Sequence, residues 1–98
     1  MNYEQHLRED RRLVILRVLA EVPARSANDS ILHKMVLSWG NQCTRDQVKS
    51  EITWLHEQGL LVRSETAGIT IAEITQRGHD VAKGLSAVDG VHRPSPRG

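Results

Sequence analysis

Arg45, Asp46, Gln47, Lys49, Ser50 and Thr53 crowd into one short stretch, TRDQVKSEITWLHEQG. Together they carry much of the hydrogen-bonding repertoire that tells base pairs apart. In the major groove of a duplex an arginine forks onto guanine and a glutamine onto adenine, an aspartate accepts from cytosine, and a serine adapts to either partner. Other chemistries find less support. His6, His33, His56, His79 and His92 are scattered over separate segments, and no pair has a metal-ligand spacing such as HxxxH. No Ser or Cys nucleophile sits in a motif, and no glycine loop is built to cradle a phosphate. Neither enzymatic activity nor a metal or cofactor is expected. Each histidine reads as a surface or half-buried side chain.

The elements that must position the six candidates are also legible. Thr44 followed three residues later by Gln47 forms a capping box, in which each side chain satisfies a backbone N–H of the other residue. Val48, Ile52 and Leu55 fall on one face of the helix that follows, and Gly59 supplies a left-handed stop. Advancing about 100° per residue from Val48 puts Asp46, Ser50, Thr53 and Glu57 opposite the core, with Arg45, Gln47, Lys49 and His56 on the flanks. Trp54 lies at the edge of the apolar stripe, where packing is expected. Leu60 to Glu65 and Ile69 to Ile74 then flank Thr-Ala-Gly, which reads as the turn of a β-hairpin. A helix running directly into a hairpin is how a winged helix-turn-helix presents a recognition helix and a wing. Arg63 is the wing's basic residue and joins the candidates for DNA contact, while Glu65 and Glu73 are acidic and grip phosphate poorly.

Upstream, the pattern predicts a first helix over Tyr3 to Glu21. Its second half is apolar nearly all round, with Leu13 and Leu16 opposite Val14 and Val18, so it needs cover on more than one side. A C-terminal helix within the chain would supply that cover, and so would a second copy meeting it in a homodimer seam through Leu13, Leu16 and Leu19. Arg8, Glu9, Asp10, Arg11 and Arg12 read as a solvated face with local ion pairs. PARSANDS, residues 23–30, reads as a loop ending in an N-cap at Asn28, Asp29 or Ser30. A second helix to about Trp39 then buries Ile31, Leu32, Met35, Val36 and Trp39. Thr75 caps a final helix over Gln76 to Ala87, despite Gly78 and Gly84. The expected core is Leu7, Val14, Val18, Leu32, Met35, Val48, Ile52, Leu55, Leu60, Ile71 and Leu85. The fold class is mainly α (α+β): three helices, a β-hairpin wing and a C-terminal helix. Residues 1–89 form this winged helix-turn-helix domain, and 90–98 a disordered basic tail, whose Arg93 and Arg97 would either act as a flexible arm or stay solvated without a role.

Composition narrows the partners. The chain has 98 residues, enough for one modest core. A net charge of +1 means that any electropositive surface must come from arrangement in space. Tyr3, Trp39 and Trp54 are too few for a base-stacking platform, which argues against single-stranded nucleic acid. Cys43 is the single cysteine, so no internal disulfide forms and a reducing cytoplasm is the natural setting. No stretch approaches the roughly 20 apolar residues of a membrane span.

The run QVKSEITWLHEQGLLV resembles the recognition helix of ArsR-like winged-helix regulators, and the wing followed by ITQRG resembles that superfamily's strand leading into its last helix. The chain departs from it in lacking a cysteine pair or histidine cluster for metal sensing, and in a turn before the recognition helix about two residues longer than usual. A wider resemblance, through EDRRLVILRVLAE, NDSIL, RDQVKSEITWLHEQGLL, ITQRGHDVAKG and GVHRPSPRG, is to a small protein family of Mu-like bacteriophages and prophages. It implies a phage-encoded winged-helix protein acting in the cytoplasm of a bacterial host, encoded near lysis and DNA-packaging genes. The function expected is double-stranded DNA binding as a transcriptional regulator. Its rival is a packaging or assembly accessory that docks a phage or host protein on the winged helix.

Overall fold

The computed structural model describes residues 2–95. Helix α1 covers Tyr3–Glu21 and is capped by Asn2, whose side chain accepts from the Gln5 N–H. A 3-10 turn, Pro23–Arg25, leads through left-handed Ala24 and Arg25 into a short strand β1, Ser26–Asn28. Helix α2 (Asp29–Ser38) and helix α3 (Arg45–Glu57) follow, then strands β2 (Leu61–Thr66) and β3 (Ile69–Ile74), and a short helix α4 (Gln76–Ala82). The three strands form one antiparallel sheet in the order β1-β3-β2, with Ser26 opposite Glu73 and Leu61 opposite Ile74. This is the α+β winged-helix arrangement.

Local signals explain most element ends. Thr44 and Gln47 exchange both capping-box bonds, at 3.0 and 2.9 Å. The two-residue hairpin turn needs positive φ at both central positions, and Ala67 and Gly68 supply φ of 52° and 77°. PARSANDS is not all loop. Its middle residues, Ser26–Asn28, pair with β3 as β1, because the antiparallel wing leaves an open edge at Ile71 to Glu73 that a short passing segment can satisfy, and Asp29 and Ser30 already open α2.

Helix α1 is the hub. Leu13, Val14, Ile15, Leu16, Val18 and Leu19 are all buried within one chain, against α2, α3, α4 and β3. The seam expected at Leu13, Leu16 and Leu19 is therefore corrected: those side chains are already in the core and offer nothing to a second copy. Helix α4 is shorter than the expected Gln76 to Ala87. Gly84, at φ +80°, closes it by donating to Val81, and Leu85 donates back to Asp80. Leu85, expected in the core, is consequently 79% exposed. Leu7, Met35 and Ile71 are partly buried. On α2 only Leu32 and Val36 of the expected set are fully buried; Ile31 is exposed, and Trp39 lies 44% exposed beneath the Arg17 guanidinium, 5.2 Å away.

Two further corrections concern charge and the C-terminal segment. Arg11 and Arg12 are not solvated. Arg11 is buried, donating to Asn41 and to Glu51 of α3, and Arg12 donates to Glu51 at 2.8 Å and lies 3.8 Å above the Trp54 ring. The long turn before α3 has its reason here, since it delivers Asn41, which also donates to the Leu7 carbonyl and the Asp10 carboxylate. The boundary expected at Gly90 also moves outward. Val91 is buried, the Gly90 carbonyl accepts from Arg12, and the His92 N–H donates to Glu9 of α1. A buried apolar side chain, a bond from the Arg12 side chain and a backbone bond to α1 hold this polar segment down. Arg97 lies outside the described residues.

Gly78 shows why α4 carries a poor helix former. A Cβ there would run into the Leu60 carbonyl and sit 2.9 Å from the Ile74 side chain. The Leu60 oxygen also accepts the Thr75 N–H, so that backbone has no freedom to retreat. Gly78→Ala is expected to lower stability by about 1–3 kcal/mol or more, although alanine favours helix. A thermal melt decides it: an unchanged or raised midpoint would contradict this close packing.

Candidate nucleic-acid interface

Helix α3 is held from both flanks, and this is what leaves its third face free. On one flank Glu51 and Trp54 engage Arg11 and Arg12 of α1. On the other, Arg45 and Lys49 reach Asp29 at the start of α2, and His56 meets the base of the wing. There the His56 Nδ1 accepts the Arg63 N–H at 3.2 Å, which ties the end of α3 to β2. Val48, Ile52 and Leu55 fill the core between the flanks. Asp46, Ser50, Thr53 and Glu57 are exposed, as the helical period requires.

The candidates differ in how free they are. Asp46, Ser50 and Thr53 have no side-chain hydrogen bond or ion pair among the described residues. Gln47 lends its carbonyl oxygen to the capping box, so a two-point approach to adenine competes with the start of α3. Arg63 shares the inward-facing row of β2 with buried Leu61 and lies opposite buried Ala72. Its guanidinium donates to Glu65 at 2.6 Å, so the expected cationic contribution of the wing is largely neutralised. A cleft of about 390 Å³ opens between α1 and α3, lined by Arg8, Arg11, Gln42, Gln47 and Ser50 among others. Glu4 and Glu51 also line it, and Glu51 already engages Arg11, so its donors are offset by two carboxylates.

Asp29 is one of the three residues that could cap α2 by sequence. Asn28 is the cap, accepting from Ile31, and Asp29 begins the helix with its side chain wholly buried. Arg45 Nε donates to Asp29 Oδ2 at 2.7 Å, and the Lys49 ammonium lies 3.8 Å from the same oxygen. The Arg45 bond holds the Asp29 carboxyl below the usual carboxylate range, against the opposing effect of burial, and Asp29 in turn raises Arg45. A signal was present in the sequence. Arg45 and Lys49 stand four apart in the first turns of a helix, where like charges repel and the helix dipole disfavours cations. An anion brought from elsewhere resolves both penalties. Cys43, half-buried beside the cap, has its thiol pushed up by burial, and its carbonyl lies 2.9 Å from the His33 Nε2.

No family model and no solved structure matches the chain. The uncharacterized protein gp26 of Escherichia phage Mu is 45% identical over 91 residues, covering 93% of this chain and 94% of gp26. This chain belongs to the gp26 family. An uncharacterized protein of Haemophilus influenzae is also similar, at 40% identity over 78 residues, 79% of this chain and 76% of that protein. Identity of 45% over nearly the full length of gp26 means that the phage Mu protein is expected to share this overall fold. Among the described residues no helix is long and apolar enough to cross a membrane.

Proposed function

We propose that this phage-associated protein binds double-stranded DNA, inserting the N-terminal half of α3 into the major groove, and acts as a transcriptional regulator of phage genes. The observation that carries the reading is the uncovered face of α3. Asp46, Ser50 and Thr53 stand exposed beside a half-exposed Arg45, on a helix pinned along both flanks and followed at once by a wing. A helix-turn-helix reads bases with this part of its second helix. Electrophoretic shift against the phage's own promoter and packaging-site duplexes is the direct test. Binding is expected at low salt and should weaken steeply as salt rises, because phosphate neutralisation releases counterions. If no fragment shifts at low salt, the proposal fails.

A second reading has its own observation. Val62 and Ile69 are exposed on the outer face of the hairpin, near partly buried Ile71, and the one basic wing residue is paired with Glu65. Such a wing suits an apolar protein partner better than phosphate, as a packaging or assembly accessory would require. Retention of a phage protein with no shift of any duplex would favour it.

A further inference from the structure

We propose that Asp29 is a positioning residue for base reading: it fixes the Arg45 guanidinium through Nε, so that Nη1 and Nη2 meet a guanine end-on in the major groove. This rests on the DNA-binding reading above and adds to it which base is read, and by what device. Arginine recognises guanine through two parallel N–H donors set on O6 and N7, and the contact discriminates only if the fork is correctly aimed. A free arginine side chain loses much rotamer entropy on being aimed, whereas one already held loses little.

The geometry meets that need from both ends. Asp29 is anchored in the first turn of α2, its side chain fully buried, while the Arg45 side chain is 52% exposed. Their single bond, at 2.7 Å, occupies Nε and leaves both Nη groups without a hydrogen-bond partner among the described residues. The other carboxylate oxygen, Oδ1, is buried and also has no partner there. The charge on Asp29 is thus offset mainly by Arg45 and by Lys49, and releasing Arg45 would strand a buried anion. Arg45 is also the first residue of α3, at the end that a recognition helix points into the groove. A purely structural ion pair has no need of an exposed fork at that place.

The roles of the two cations separate. Lys49, a point charge on the same carboxylate, strengthens binding without choosing a base. Asp29 opposes the phosphates by its own charge and serves specificity at some expense of general affinity.

The full chain is used to select from a random-sequence duplex pool at low salt, and the enriched site is titrated with wild type, R45K and D29N against duplexes altered at each guanine. R45K keeps the charge and lies on a half-exposed side chain, so it folds even if D29N does not. The wild type should enrich a guanine, and R45K should lose about ten-fold or more of the preference at that position only. D29N should lose preference at the same position while binding unselected duplex as well as wild type or better, with a steeper salt dependence. Undiminished guanine preference in R45K or in a folded D29N overturns the proposal and leaves DNA binding standing. So does a wild-type site without an enriched guanine. Retention of no duplex by the wild type overturns both.

Discussion

Replacing Glu51 by alanine is expected to destabilise the protein by about 3–5 kcal/mol, a large share of what a small domain possesses. Glu51 lies on an amphipathic helix among other charged residues, yet its side chain is only 7% exposed and sits between two arginines of α1. Removing it leaves Arg11 and Arg12 buried without their counter-charge. Arg11 would retain Asn41 and the Gln42 carbonyl, and Arg12 the Gly90 carbonyl and the Trp54 face, but no anion. The C-terminal segment should loosen with it, because Gly90 is held by the same Arg12. Glu57→Ala, at an exposed position of α3, should stay within about 0.5 kcal/mol of the parent. Urea unfolding of the two variants makes the comparison, and a Glu51→Ala loss below about 1 kcal/mol would mean that both arginines reach water instead.

Ile52→Ala should cost about 2–5 kcal/mol. Ile52 is completely buried on the inner stripe of α3, where it shares the core with Val48, Leu55 and the buried face of α1. Part of the loss is the missing transfer of methyl groups out of water. The rest depends on how far the surroundings collapse into the cavity, and an α3 pinned on both flanks by Glu51 and Asp29 collapses little. The upper half of the range is therefore expected, with an unchanged denaturant slope. A variant as stable as the parent would contradict the placement of α3.

Much of this molecule is written in short-range patterns. The bounds of α1 and β3, the capping box of α3, the stop at Gly59 and the exposure of Asp46, Ser50 and Thr53 follow from helical and strand periods and from caps a few residues long. Those signals act through backbone hydrogen bonds and side-chain spacing inside one element, so a linear reading has access to them. The all-round apolarity of α1 could be recognised in the same way, but not what covers it. That depended on α3, α4 and the sheet closing around one chain, which removed Leu13, Leu16 and Leu19 from any seam.

Which charges are free is a different kind of fact. Arg45 looks like an unencumbered cation until Asp29, 16 residues earlier, takes its Nε. Glu51 and Arg11 look like surface residues until a separation of 40 residues is closed between them. Strand β1 likewise exists because β3 offers it an edge. Periodicity places a side chain on a face of its own element. Its burial, its partner and its remaining capacity to bind are set by whatever packs opposite, and only the assembled tertiary structure brings that neighbour within 4 Å or so, where charge and hydrogen bonding act.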